Sequence, residues 1–308
     1  MTSAGRNVIS LDDLSAADLR SVIARGAEIA QSRQRQFDTL NGTVVGIYFR
    51  KTSTRTRTAF SSGALRLGAR IISYGPDDWQ TNTGESYEDT GRILSGMLDV
   101  LVARTAGDPA EMRALGAHRQ MPVVNAMSDE EHPTQALTDL TTMLCRFGCL
   151  EGRRVLYIGE GNNTAAALAL SLSRFEGTEL HLRTPPGYGL SESVRARALL
   201  HAEQNSALVT ERHDMDELPT DVDVIYTTRW QTTGTTKADP DWRETFRPFH
   251  VGTHLWQHSP KALFMHDLPA HRGDEVSADV LDGSASIAFD QATNKMHSAM
   301  AVLEWCRQ

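Results

Sequence analysis

Short apolar runs closed by polar residues alternate along this chain with longer stretches whose apolar positions return at helical spacing. The run TVVGIYF (43–49) is β-branched and bounded by polar residues, the pattern of a strand buried on both faces. Similar runs at ARIISY (69–74), DVLVAR (99–104), MPVVNA (121–126), RRVLYIG (153–159), TELHLR (178–183), DVIYTT (223–228) and ALFMHD (262–267) predict further strands. TAFSSGALRLG (58–68), EDTGRILSGML (88–98), TAAALALSLSRFEG (164–177) and SESVRARALLHAEQN (191–205) predict helices between them. Strands alternating with helices predict parallel, doubly wound sheets. Right-handed crossovers then place ligand crevices at the carboxyl ends of the strands. At 148–154 a helix ends and a new strand begins. The expected fold is α/β: two doubly wound parallel-sheet domains with a cleft between them, a favoured place for ligands.

Composition narrows the class. The chain has 308 residues, a net charge of −8 and 40% hydrophobic residues, as a soluble globular protein of about two domains would. The acidic balance argues against a nucleic-acid surface, so any basic cluster has a local purpose. No window approaches the ~20 apolar residues that span a bilayer. The opening MTSAGRNVISLDDLSAADLR has no apolar signal core and leads toward a capped helix, so a cytoplasmic location is expected. Cys145, Cys149 and Cys306 are too few and too uneven for a disulfide framework. Cys145 and Cys149, four apart on a predicted helix, read as buried core thiols. His250, His254 and His258 recur at helical spacing, which zinc ligands can share. With no carboxylate or cysteine at motif spacing, they read as a polar helix face, and no metal is expected.

The densest chemistry lies in FRKTSTRTRTAF (49–60). A strand ends at Phe49 and a helix begins near Ser53 to Thr56. A helix N-terminus offers unpaired N–H groups and a positive dipole end. Ser53, Thr54 and Thr56 add hydroxyls, and Arg55 adds a planar fork for phosphate oxygens. Cations at a helix N-terminus are otherwise unfavourable by ~0.3 kcal/mol or more; a bound anion removes that objection. The chain has no G-x-x-x-x-G-K-[ST]. IGEGNNT (158–164) is only a partial dinucleotide fingerprint, with Thr164 in place of the third glycine.

STRTR after a strand resembles the carbamoyl-phosphate signature of the aspartate/ornithine carbamoyltransferase family. Further motifs follow in the family's order over essentially the whole chain: Glu88-Asp89-Thr90-Gly91-Arg92, Arg104, His132-Pro133-Thr134-Gln135, Gly159-Glu160-Gly161-Asn162-Asn163, the run from His266 to Gly273, and Asn294. The resemblance is closer overall to the ornithine branch. It implies a carbamoyl-phosphate-binding domain over 1–135, joined by a C-terminal helix at 290–308 that returns to it, and an amine-binding domain over 151–289. It implies a homotrimer and no cofactor. It also implies a carbamoyltransferase whose partners are carbamoyl phosphate and a small amino-acid amine.

Residue by residue, Ser53, Thr54, Arg55 and Thr56 match the phosphate binders. Arg104 matches the arginine that also reaches the carbonyl oxygen, His132 the donor to that oxygen, and Gln135 the holder of the carbamoyl NH2. Arg55, Arg104, His132 and Gln135 are thus the expected catalytic set. Leu268 and Pro269 match positions whose backbone carbonyls receive the amines. Lys295 stands where the ornithine branch has arginine, and a lysine cannot form the bidentate fork, though it can still touch carbamoyl phosphate. The aspartate branch has a loop lysine donated by a neighbouring subunit. The matching DDWQTNTGES (77–86) has none, and Trp79, Gln80 and Asn82 are expected to close over the site instead.

The acceptor side is mixed. Thr228 replaces the ornithine branch's ammonium-pairing aspartate, and Thr232-Thr233-Gly234 replaces its Ser-Met-Gly. Arg229 and Gln231 resemble the aspartate branch's Thr-Arg-x-Gln run, but that branch's second carboxylate-binding arginine is missing. Asn163, with Asn162, belongs to the ornithine pattern. Asp267 stands between His and Leu where neither branch has an acid; its plain alternative is a solvated loop carboxylate. The expected acceptor is a small amino acid with a second amine, its carboxylate near Arg229 and an ammonium near Asp267. Ornithine and shorter diamino acids such as 2,3-diaminopropionate both fit. An aspartate-type enzyme, or a non-catalytic ligand-binding relative, are the alternatives.

Overall fold

A computed structural model describes residues 6–118, 120–232 and 235–308. Thr233 and Gly234, part of the acceptor-loop reading, lie outside the described residues. The chain divides into two compact units, one of residues up to Arg146 together with Thr293–Gln308, the other of Phe147–Ala292.

The first unit runs α1 (Ala16–Gln31), β1 (Val44–Phe49), α2 (Arg55–Arg66), β2 (Arg70–Tyr74), α3 (Tyr87–Leu94), β3 (Val100–Arg104), α4 (Pro109–Leu115), β4 (Val123–Met127) and α5 (Pro133–Phe147). The second runs β5 (Arg154–Ile158), α6 (Asn163–Leu172), β6 (Glu179–Arg183), α7 (Glu192–Gln204), β7 (Leu208–Arg212), β8 (Val224–Thr227), α8 (Trp242–Phe246), β9 (Leu263–His266) and α9 (Ala278–Leu281). The last helix, α10 (Ala288–Cys306), starts in the second unit and ends in the first.

The sheet orders are β2-β1-β3-β4 and β7-β6-β5-β8-β9, and every named pairing is parallel. The doubly wound α/β class is therefore present in both units. Val45, Ile47, Tyr48 and Phe49 of β1 are buried, as are all residues of β3 and β4, which fits their continuous apolar runs. In each sheet the chain leaves a central strand in both directions. The reversals fall between β1 and β3 and between β5 and β8, the points where such sheets bind ligands beyond the strand ends. Gly91 has a packing reason: a Cβ there would lie 2.4 Å from Leu115 O.

Several expectations shift. The sequence shows no apolar run at β7 because LVTER ends in two charged residues and buries only Val209, with Leu208 45% exposed. Trp79 is not a lid. Its ring stacks on Tyr48 at 3.7 Å and meets Tyr74 edge-on at 6.0 Å, so its apolar area goes into the core. Asn82 and Gln80 bond within their own turn, to Pro76 O and Thr83 Oγ1. The three histidines share no helix face. Two separate 3-10 turns, Arg247–Phe249 and Thr253–Gln257, break the run around Gly252. Cys149 lies past the end of α5 and is exposed, and Cys145 is half-buried; Cys306 alone of the three is buried. Among the described residues no helix is long and apolar enough to cross a membrane.

Candidate active site

In the first unit, the carboxyl ends of β1, β3 and β4 lie side by side. Each hands the chain to one part of the predicted site. After β1, Arg50 turns away: its Nη2 donates to Glu111 Oε2 at 2.9 Å and its Nε to Thr105 O at 3.1 Å. One cation of the basic cluster is thus structural. Thr54 is the N-cap of α2, yet it adopts helical angles and makes no side-chain cap bond. Its hydroxyl does not occupy the first-turn N–H groups, which remain suited to an anion. Ser53 and Arg55 are half-buried, Thr54 is exposed and Thr56 is buried. The Arg57 guanidinium packs over Phe49, 5.2 Å from the ring centroid.

Arg104 closes β3, beside a register shift that leaves it opposite Met127, and is buried. His132 precedes α5 and is also buried, with Thr134 Oγ1 3.3 Å from its Nδ1. Burial pushes its pKa well below the imidazole range, and the cations Lys295 and Arg104 push it further down. The ring is neutral at pH 7 and keeps one N–H donor.

Gln135 follows in the first turn of α5. Its Nε2 donates to Asp139 Oδ1 at 2.7 Å, and its Oε1 accepts from Lys295 Nζ. These two bonds fix which way the amide points. Lys295, from α10, therefore reaches the predicted site through Gln135 and through its charge at His132. Its neighbour Asn294 donates to Thr142 Oγ1 at 3.0 Å, anchoring that helix to α5. Asp139 was not singled out in the sequence; its place one helical turn after Gln135 was the available signal.

In the second unit, β5, β8 and β9 are neighbours, so their carboxyl ends assemble the acceptor residues. The chain leaves β5 through Gly159, Glu160 and Gly161. A Cβ on Gly161 would meet Gly189 C at 2.3 Å, so glycine alone fits there. Asn162 caps α6 by accepting from Thr164 N and Ala165 N. Asn163 opens the helix and is buried.

Asp267, past the end of β9, gathers the neighbours. Thr164 Oγ1 donates to its Oδ2 at 3.0 Å, and Thr228 Oγ1 to its Oδ1 at 3.0 Å. Its side chain is 17% exposed, so it is no solvated loop acid. Beside it, His266 is fully buried, with Nε2 3.2 Å from Glu275 Oε1. Burial opposes charge on that ring, but the carboxylates of Asp267 and Glu275 outweigh burial and raise its pKa. Leu268 takes a left-handed φ of 51°, strained for a leucine, and its N–H donates to His266 Nδ1 at 2.8 Å.

Arg229 follows Thr228 and is half-buried; its Nε donates to Gln231 O at 2.6 Å. Gln231 Nε2 donates to Thr235 O at 2.9 Å, so the nitrogen end of its amide serves its own loop. The structure therefore joins Asp267 to Thr164 and Thr228, and Arg229 to Gln231. In the sequence Thr164 shows only as a substitute for the third glycine of a partial dinucleotide fingerprint. Nothing local marked it as a partner of a residue a hundred positions away.

Residues 6–144 match the family model described as aspartate/ornithine carbamoyltransferase, carbamoyl-P binding domain, and 151–306 match that described as its Asp/Orn binding domain. The anabolic ornithine carbamoyltransferase of Pyrococcus furiosus is 36% identical over 303 residues, 97% of this chain and 96% of that protein. The ornithine carbamoyltransferase of Bacillus subtilis is 34% identical over 301 residues, 97% of this chain and 93% of that one. Among solved structures, the Pyrococcus furiosus enzyme has a TM-score of 0.91 at 35% identity, covering 98% of this chain and 97% of its own. That of Gloeobacter violaceus has a TM-score of 0.87 at 30% identity, with 98% and 99% covered.

Proposed function

This chain belongs to the aspartate/ornithine carbamoyltransferase family of carbamoyl phosphate-dependent enzymes, and we propose that it carbamoylates the side-chain amine of a small diamino acid, with ornithine the leading acceptor. The names of its relatives support ornithine. The observation that carries the cationic acceptor is Asp267, a carboxylate held by two hydroxyls where the ends of three strands meet.

The reaction needs no covalent enzyme intermediate. A neutral amine attacks the carbonyl carbon of carbamoyl phosphate, the bond from that carbon to the phosphate oxygen breaks, and the amine proton leaves with the phosphate. Positioning and fixed charges supply the acceleration. The first turn of α2, with Ser53, Thr54, Arg55 and Thr56, holds the phosphate. Arg104 and the neutral His132 N–H polarise the carbonyl. Gln135, oriented by Asp139 and Lys295, accepts from the carbamoyl NH2 through its second lone pair. Asp267 pairs with the acceptor's ammonium, Arg229 with its carboxylate, and Asn163, Gln231 and the Leu268 backbone complete its seat.

A second reading, a shorter acceptor such as 2,3-diaminopropionate, is favoured by one feature. Thr228 stands where the ornithine branch has its acid, and the carboxylate arrives from Asp267 instead. The carboxylate proposed to seat the ammonium thus lies 3.0 Å from Thr228 Oγ1 rather than on residue 228 itself. An initial-rate panel of ornithine, aspartate, 2,3-diaminopropionate, 2,4-diaminobutyrate and putrescine, read by ureido product, decides. Ornithine as best substrate supports the first reading, a short diamino acid the second. Aspartate as best substrate, with Asp267→Asn unaffected, refutes both. A homotrimer, expected from the resemblance, and a cytoplasmic location are part of this reading; light scattering at a mass other than three chains would remove the trimer.

A further inference from the structure

Lys237 is a charged residue whose side chain is only 3% exposed. Its Nζ donates to Glu160 Oε1 at 2.6 Å. The same ammonium lies 4.5 Å from the ring centroid of Tyr188, 4.6 Å from Phe246 and 5.3 Å from Trp242. Several π faces around one cation make a strong ammonium seat, more so out of water. This chain fills the seat with its own lysine.

The seat is wired to the predicted acceptor residues. Glu160 Oε2 accepts from Thr232 Oγ1 at 3.3 Å, and that hydroxyl accepts from Asn162 Nδ2 at 2.9 Å. Trp230 joins Trp242 and Phe246 in one buried aromatic cluster, its ring 5.9 Å from that of Phe246. Trp230 lies between Arg229 and Gln231, and Gln231 holds Thr235, two residues before Lys237.

We propose that Lys237 is a positioning residue for the acceptor site: its ammonium, seated among Tyr188, Trp242 and Phe246 against Glu160, latches the segment that carries Arg229 and Gln231. The proposal rests on the acceptor reading of those two residues. Without the lysine charge, Glu160 stays half-buried beside aromatic rings with no cation opposite. It then turns toward water and releases Thr232, and Trp230 loses the packing that fixes its neighbours. Methionine fills the same space but gives Glu160 no partner.

In Lys237→Met the ornithine KM rises about tenfold, while kcat and the carbamoyl phosphate KM stay within about twofold. Lys237→Arg keeps the charge and recovers most of the loss. The double variant Lys237→Met with Glu160→Gln is no worse than the worse single, because both remove one pair. Hydrogen exchange over residues 229–242 quickens in Lys237→Met without any substrate. That readout does not depend on which amine is the acceptor, so failure of the latch is separable from failure of the acceptor reading. Unchanged exchange overturns the proposal. So does an unchanged acceptor KM while the wild type turns ornithine over, or equal losses in both substrates' KM.

Discussion

At the scale of single residues, the charges around His132 set its chemistry. The ring is buried beside Lys295 and Arg104, and all three causes favour its neutral form. The sign follows: as pH falls through the ordinary imidazole value of 6.5, an exposed histidine charges and His132 does not. Its share of stability is complete above that value and is lost only as pH drops toward the depressed folded pKa. His132 therefore adds no limb of its own to kcat/KM in the imidazole range, and the loss of rate on the acid side follows protonation of the acceptor amine. A limb near pH 6.5 that disappears in His132→Asn would contradict the assignment. His132→Ala lowers kcat by about 100-fold or more, as loss of a donor to a developing oxyanion does. Lys295→Met removes the donor to Gln135 Oε1 and raises the carbamoyl phosphate KM by about tenfold, with the acceptor KM as the control. The residue types of this site were legible, since Arg104, His132 and Gln135 stand in ordered motifs. Their partners were not: Asp139 and the Lys295–Gln135 bond depend on which helix faces which.

At the scale of elements, the strand ends decide what meets. β5, β8 and β9 deliver Thr164, Thr228 and Asp267 to one point, although their sequence spacings share nothing. Replacing Thr164 or Thr228 by valine removes one hydroxyl bond to a carboxylate, worth about 1.5–3 kcal/mol. Each raises the acceptor KM by about 10–100-fold in steady-state assays and leaves the carbamoyl phosphate KM unchanged. Trp79 shows the opposite case, a motif-loop residue taken into packing. Trp79→Ala costs about 3–5 kcal/mol of stability by urea unfolding, far more than any exposed loop residue would. Its place in a polar run, DDWQTNTGES, hid this, because the Tyr48 and Tyr74 rings it joins belong to strands named from their own apolar patterns. The central strands were readable because burial on both faces imposes continuous apolar sequence; β7, which buries only Val209 and carries two charged residues, shows no such run.

At the scale of the whole molecule, the two family matches divide at the same stretch that separates α5 from β5. Variants should divide likewise. Arg55→Ala raises the carbamoyl phosphate KM by about 10–100-fold through one lost charged contact, and Asp267→Asn raises only the acceptor KM. A matrix of the two constants for both variants checks this, and a crossed result would argue against separate binding duties. The order of the chain adds a consequence for biosynthesis. Residues 147–292 are contiguous, whereas the first unit takes its final helix segment from 293–308. A ribosome therefore emits everything the second unit requires before the first can be completed. Until then, the surface that will receive Met300, Val302, Leu303 and Trp305, all buried at the end, stands uncovered in a nascent protein. The half made first is the half finished last, and it is the one a chaperone would be expected to hold.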